Sequence, residues 1–231
     1  SVCSQDSTAT YAEDGSSMLF ILSLTCQAQF QWSLLCLICC RDYTVSFPNQ
    51  VWSIDITYIP MPHGHMYLTA IIDWYSRRLV GHYLSDSLEA ESVIHAVTET
   101  VKACGVPAII NSDQGSQFTS DDYKNLLRNL NIRQSMDGRS RWADNIMIER
   151  WFRSLKTEQL YPNEYRTPRE LRRLINQYVD DYNNIRPHEA LGYKVPNEFT
   201  LLASLLRIIL LTATLKFRTC LDKGHYKYFQ H

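Results

Sequence analysis

The chain of 231 residues is 45% hydrophobic, 20% charged and 12% aromatic, and its 23 Lys and Arg almost balance 24 Asp and Glu for a net charge of -1. That composition excludes collagen-like, coiled-coil and disordered chains, and the near-zero charge excludes a protein that coats nucleic acid through bulk positive charge. The length suits one generous domain with extra elements at its ends.

Residues 1–46 share no pattern with the rest of the chain. Their two apolar blocks, Met18 to Leu24 and Leu34 to Cys40, are separated by a polar stretch, and neither approaches the ~20 residues of a spanning helix. With Asp6, Glu13 and Asp14 and no Lys or Arg, the leading segment does not read as a signal peptide either. Seven cysteines, five of them before residue 41, form no disulfide framework. Cys36-Leu-Ile-Cys39-Cys40 lacks the second Cys or His pair that zinc needs, so its cysteines read as small apolar residues.

The pattern changes at Pro48. Val51 to Tyr58 alternates, with Trp52, Ile54, Ile56 and Tyr58 on one face and Ser53, Asp55 and Thr57 on the other, which predicts a strand presenting an acid mid-way. After the turn at Pro60, Pro62 and Gly64, Met66 to Trp74 and Arg77 to Leu84 read as two more strands joined at Tyr75-Ser76. Ala90, Val93, Ile94, Val97 and Val101 have helical spacing between an acidic start at Asp86 and a stop at Gly105. Ala108-Ile-Ile110 is a short buried strand ending in the loop Asn111-Ser-Asp113-Gln-Gly115. A helix from Ser120 to about Leu130, a strand from Ile132 to Met136 and a polar loop from Asp137 to Arg141 come next.

From Ala143, the residues Ile146, Ile148, Phe152 and Leu155, with Trp151, predict a helix carrying Glu149. Thr167-Pro168-Arg169-Glu170 has the capping box and early proline of a helix start, ahead of a core face of Leu171, Leu174, Ile175, Tyr178 and Tyr182. The order predicts an α/β architecture, a mixed five-stranded sheet flanked by helices.

Three acids stand where a site could gather them. Asp55 is mid-strand, Asp113 ends the next core strand after the meander, and Glu149 comes after it with 35 residues between. Twenty-four acids will always supply three at some spacing. However, an Asp between Ile54 and Ile56 is costly unless paired or metal-bound, and carboxylates without Cys or His suit two Mg or Mn ions.

Between Arg139 and Arg173, nine Lys and Arg face five Asp and Glu, a local net of +4 on a chain totalling -1. Lys156 and Arg153, seven and four positions after Glu149, share its helix face. Together with Arg150, Arg139, Arg141 and Asn145 they are the candidate DNA-binding residues; the bland reading is a solvated helix face. Asn145 is expected either to orient Glu149 or to contact DNA. Trp142 and Trp151 could stack on bases, with core packing the stronger reading for Trp151. His188 has no partner at ligand spacing.

Trp52-x-x-Asp55-Ile-Thr57, Ile72-Asp73-x-x-Ser76-Arg77, Asn111-Ser-Asp113-Gln-Gly115-Ser-Gln117, Asp144-Asn145-x-x-x-Glu149-Arg and Leu155-Lys156-x-Glu158 resemble the catalytic core of OrfB-type insertion-sequence transposases. Tyr182-Asn183-x-x-Arg186-Pro-His188-x-x-Leu191-Gly and Pro196 resemble the tail of the same pattern. These enzymes belong to the retroviral integrase superfamily of DDE recombinases, with a ribonuclease-H-like fold. The resemblance spans residues 47 to about 200.

It implies that Asp55, Asp113 and Glu149 bind two Mg or Mn ions and catalyse strand cleavage and transfer. It also implies DNA as partner, a homo-oligomer on DNA, a separate helix-turn-helix protein for end recognition, and a cytoplasmic, DNA-associated location with no membrane role. Three departures stand out. No helix-turn-helix precedes Pro48, Ser140 replaces a usual second Gly, and the run from Leu201 to Leu211 leaves the pattern as a hydrophobic helix without an evident burial partner. The expected division is therefore an unassigned segment 1–46, a catalytic core 47–200 and an unassigned tail 201–231. Two readings stay open: an active metal-dependent strand-transferase, or a truncated remnant that keeps the fold and binds nucleic acid.

Overall fold

A computed structural model describes residues 45–136 and 145–222, with side chains to residue 213. Five strands, β1 (Val51–Met61), β2 (Gly64–Asp73), β3 (Leu79–Ser85), β4 (Ile109–Ser112) and β5 (Arg133–Met136), form one sheet in the order β3-β2-β1-β4-β5. β1, β2 and β3 pair as an antiparallel meander, whereas β4 and β5 run parallel to β1. The mixed sheet expected from the order of elements is the one found.

Helix α1 (Ala90–Cys104), the single turn α2 (Ser116–Thr119) and α3 (Asp121–Asn129) precede β5; α4 (Ile146–Leu155), α5 (Pro168–Asn184) and α6 (Pro196–Asp222) come after it. One face of the sheet packs Trp52, Ile54 and Ile110 against Val93 and Val97 of α1 and Leu127 of α3. The other packs Ile59, Leu68 and Ile72 against Ile148, Trp151 and Leu155 of α4 and Leu171, Leu174 and Ile175 of α5. Sheet alternation thus feeds two cores, and the face with Ser53, Asp55 and Thr57 is the one that meets α4.

Local chemistry explains where boundaries differ from expectation. α1 starts at Ala90 rather than Asp86, because the Ser85 and Ser87 hydroxyls take the N–H groups of Ser87 and Glu89 (3.0 and 3.2 Å) and hold that stretch as a turn. The β2–β3 connection is longer than Tyr75-Ser76. Asp73 Oδ2 accepts from the N–H (2.8 Å) and hydroxyl (2.6 Å) of Ser76, and Asp73 Oδ1 accepts from the Asn49 N–H (2.9 Å). Asp73 is only 1% exposed, and burial pushes its carboxyl above the usual carboxylate range even with Ser76 and Asn49 opposing. Where β3 crosses α1, a Cβ on Gly81 would lie 1.8 Å from Thr100 Oγ1, so only glycine permits this approach.

The capping box at α5 is present: Glu170 N–H donates to Thr167 Oγ1 and Thr167 N–H to Glu170 Oε2, both at 3.3 Å. α6 runs for 27 residues through residue 200, where the resemblance ends. Phe199 packs against Tyr75 at 5.3 Å between ring centroids, and Arg207 lies 3.9 Å over the Phe47 ring, yet Leu201, Leu206 and Ile209 are exposed. Pro196–Ala213 would be long and apolar enough to cross a membrane by length and composition alone.

Candidate active site

Two ties between β1 and the helical side of the sheet frame a cleft. At its inner end Ser53 Oγ donates to Asn145 Oδ1 (2.7 Å), and both residues are buried. At its outer end Lys156 Nζ donates to Thr57 Oγ1 (2.8 Å) and lies 5.1 Å above the Tyr58 ring. Asp55 stands between these ties on the same strand face, half-buried, with its Oδ1 accepting the Ile56 N–H at 2.8 Å. Glu149 is exposed in the first turn of α4, where the helix dipole favours an anion.

Asp55 and Glu149 line one cleft of about 350 Å³ together with Thr57, Arg153, Lys156 and Tyr161. The cleft is open to solvent, with Arg153 and Lys156 on the helical side facing β1. Burial holds the Lys156 ammonium below the ordinary lysine value, so this cation is partly stripped of water and takes the Thr57 hydroxyl in compensation.

Asp113 is placed by the sheet. β4 pairs in parallel with β1 through Val51 with Ile109 and Ser53 with Asn111, a register whose continuation would set residue 113 level with Asp55. The strand stops one residue earlier, at Ser112. Asp113 is exposed and turned onto its own loop, Oδ1 accepting the Gly115 N–H at 2.9 Å, and it does not line the cleft. A Cβ on Gly115 would lie 3.0 Å from that Asp113 oxygen and 2.9 Å from Gln117 Oε1, so a side chain here would press on the Asp113 carboxylate. Among the described residues no three of His, Cys, Asp and Glu are gathered closely enough to hold a metal ion. The structure therefore brings together two of the three expected acids and leaves the third at the end of the adjacent strand.

Of the expected DNA-binding residues, Arg153 and Lys156 line the cleft, and Arg150 is exposed beside Glu149 but outside the lining. Asn145 is 6% exposed and faces the sheet through Ser53, a placement that matches orienting α4 and not a direct DNA contact. Arg139, Arg141 and Trp142 lie outside the described residues. Trp151 is 2% exposed, packed among Phe152, Tyr178 and Tyr182, and belongs to the core rather than to a stacking surface. His188 packs edge-on against Tyr182 at 4.8 Å.

Sequence reasoning missed Thr57 and Tyr161 as cleft residues. Thr57 was findable, since it shares Asp55's strand face. Tyr161, 70% exposed, was not, because the helical ladder changes after Leu155: Lys156–Leu160 is a π-helical turn, closed by the Tyr161 N–H donating to the Lys156 carbonyl at 2.8 Å.

The donors of the cleft suit a hard divalent cation. Asp55 and Glu149 offer oxygen only, neither Cys nor His lines the space, and the adjacent ammonium bonds to a hydroxyl.

Two family models described as integrase core domain match residues 46–141 and 130–196. The chain is 34% identical over 163 residues to the transposase for insertion sequence element IS904 of Lactococcus lactis subsp. lactis (strain IL1403), covering 68% of this chain and 63% of that one. It is 32% identical over 162 residues to transposase InsF for insertion sequence IS3A of Escherichia coli (strain K12), covering 69% of this chain and 56% of that one. It therefore spans a little over half the length of these relatives.

Among solved structures, the HTLV-2 integrase catalytic core domain in complex with magnesium (dimeric form) superposes with a TM-score of 0.55 at 19% identity, covering 67% of this chain and 97% of that one. The catalytic core domain of BIV integrase gives 0.56 at 18% identity, covering 69% and 99%. These neighbours share the ribonuclease-H-like fold.

Proposed function

Since the chain belongs to the integrase core family, as an insertion-sequence transposase with a retroviral integrase-like core, we propose that residues 47–200 cut DNA strands and join them to a target at the cleft between β1 and α4. The observation that carries this reading is that Asp55 and Glu149, remote in sequence and on different elements, line one open cleft together with Arg153 and Lys156. In this reading Asp113 is the third acid.

Asp55, Asp113 and Glu149 would hold two Mg or Mn ions, whose chemistry would be activation of the attacking hydroxyl and stabilisation of the leaving oxygen. The chain's own residues do the rest. Lys156 and Arg153 draw the phosphodiester into the cleft by charge, with Arg150, and with Arg139 and Arg141 from the segment before α4. Asn145, fixed by Ser53, sets α4 and hence Glu149 relative to Asp55. In cleavage, water's oxygen bonds to phosphorus as the P–O bond to the strand's 3' oxygen breaks. In transfer, the freed 3'-hydroxyl makes the new bond and a target 3' oxygen leaves. No covalent protein intermediate is required. DNA is the partner, met by more than one copy of the chain, with end recognition by a separate helix-turn-helix protein and a DNA-associated place in the cytoplasm.

A second reading is a remnant that keeps the fold and binds DNA without cutting it. The observation in its favour is that Asp113 stands apart from the cleft. A nicking and strand-transfer assay on labelled duplex DNA, with magnesium or manganese and then with chelator, separates the two. Metal-dependent products support the first, and binding without products the second.

A further inference from the structure

Two residues that the reaction leaves unused, Glu158 of Leu155-Lys156-x-Glu158 and Arg186 of Tyr182-Asn183-x-x-Arg186-Pro187-His188, meet in space. Arg186 Nη1 lies 2.5 Å from Glu158 Oε2 and its Nη2 3.0 Å from Oε1, a two-pronged pair. The Tyr178 hydroxyl completes the group, donating to Glu158 Oε2 at 3.4 Å and accepting from Arg186 Nη1 at 3.1 Å. Glu158 is the middle residue of the π-helical turn Lys156–Leu160, whereas Tyr178 belongs to α5 and Arg186 lies two residues beyond its end.

A π turn is rare and concentrates at functional sites, and it persists only where surrounding contacts hold it. Here Leu160 is buried beneath the turn, Gln159 Nε2 donates to the Leu174 carbonyl at 3.4 Å, and Glu158 is gripped by Arg186. The turn begins at Lys156 and is closed by Tyr161, and both residues line the cleft with Asp55. We propose that Glu158, Arg186 and Tyr178 are positioning residues: they clamp the π turn to the end of α5 and so hold Lys156 against Thr57, aimed at a DNA phosphate. This proposal rests on the DNA-binding reading of the cleft.

Charge gives the clamp a test with a definite sign. Glu158 is an anion beside a basic face, so on electrostatic grounds alone Glu158→Gln should tighten DNA binding. A positioning role has the opposite sign. The full chain is titrated with a labelled DNA duplex, and anisotropy is read for wild type, Glu158→Gln, Lys156→Ala and the double variant, with melting curves alongside. Glu158→Gln should bind several-fold more weakly, and should cause no further loss once Lys156 is alanine, because both changes remove one contact. Exchange of the Tyr161 amide should quicken in Glu158→Gln while protection of the sheet is unchanged.

Glu158→Gln binding as well as or better than wild type, with Lys156→Ala still weakened, overturns the clamp and leaves the DNA reading standing. Wild-type affinity in Lys156→Ala overturns the clamp, and wild-type affinity in Arg153→Ala as well overturns the DNA reading of the cleft with it. Should Glu158→Gln fail to fold, Arg186→Lys carries the test, since it keeps the charge and loses only the fork. Weaker binding is then expected, and unchanged binding overturns the clamp.

Discussion

Asp55 and Asp73 lie on paired strands, Asp55 between two isoleucines and Asp73 between Ile72 and Trp74, and the chain treats them in opposite ways. Asp73, at the end of β2, is sealed from solvent with both oxygens answered by donors from Ser76 and Asn49. Asp55, in the middle of β1, is half-buried and opens on a cleft that it shares with a second acid and two cations. A carboxylate saturated by its own chain is architecture. One that lines an open cleft with a second carboxylate stands where a ligand can reach it, and two acids on one cleft favour a bound cation.

The largest effect expected from this contrast is on activity. Asp55→Asn should abolish metal-dependent cleavage while the melting temperature holds or rises, since a ligand and a repulsion disappear together. Unfolding of that variant would move Asp55 into the same class as Asp73. The converse applies to Asp73→Ala, which leaves three donors without an acceptor and should cost about 3 kcal/mol in urea unfolding, at ~1 kcal/mol for each lost bond. Unchanged stability there would remove the contrast.

Smaller effects refine it. Lys156→Ala should weaken DNA binding by the same factor for every sequence and lower the salt slope of log K by about 0.9, one counterion per lost phosphate contact, with metal binding retained. An unaltered slope in both Lys156→Ala and Arg153→Ala would make the wall of the cleft mere solvated surface. Smallest is Gly115→Ala, whose methyl crowds Asp113 Oδ1 and Gln117 Oε1. Cleavage should fall a few-fold at constant stability, whereas the same change would have no effect on cleavage if Asp113 takes no part.

Much of the fold was legible in the sequence because it is written in local periodicity. Alternation from Trp52 to Tyr58 separates the core face of β1 from the cleft face, and Thr167 and Glu170 announce α5 by capping chemistry alone. The cleft was legible in part. The spacing from Glu149 to Arg153 and Lys156 does put all three on one wall, even though the ladder slips into a π turn at Lys156 that no residue type signals. Contacts between distant motifs were not legible. Nothing local pairs Glu158 with Arg186 or Asn145 with Ser53, and the loop hydrogen bond that turns Asp113 away depends on where β4 stops. The hydrophobic run after Thr200 was legible as an apolar helix, and among the described residues Leu201, Leu206 and Ile209 are exposed on α6.

Asp55, Asp113 and Glu149 are proposed to act as one site although the structure gathers only two of them. Nicking of supercoiled plasmid by the full chain in magnesium or manganese, with Asp55→Asn, Asp113→Asn and Glu149→Gln beside wild type, puts that proposal to its most direct test. Nicking by wild type that chelator stops, and none by any of the three folded variants, is the expected result. Nicking by Asp113→Asn at the wild-type rate, or none by wild type in either metal, would contradict it.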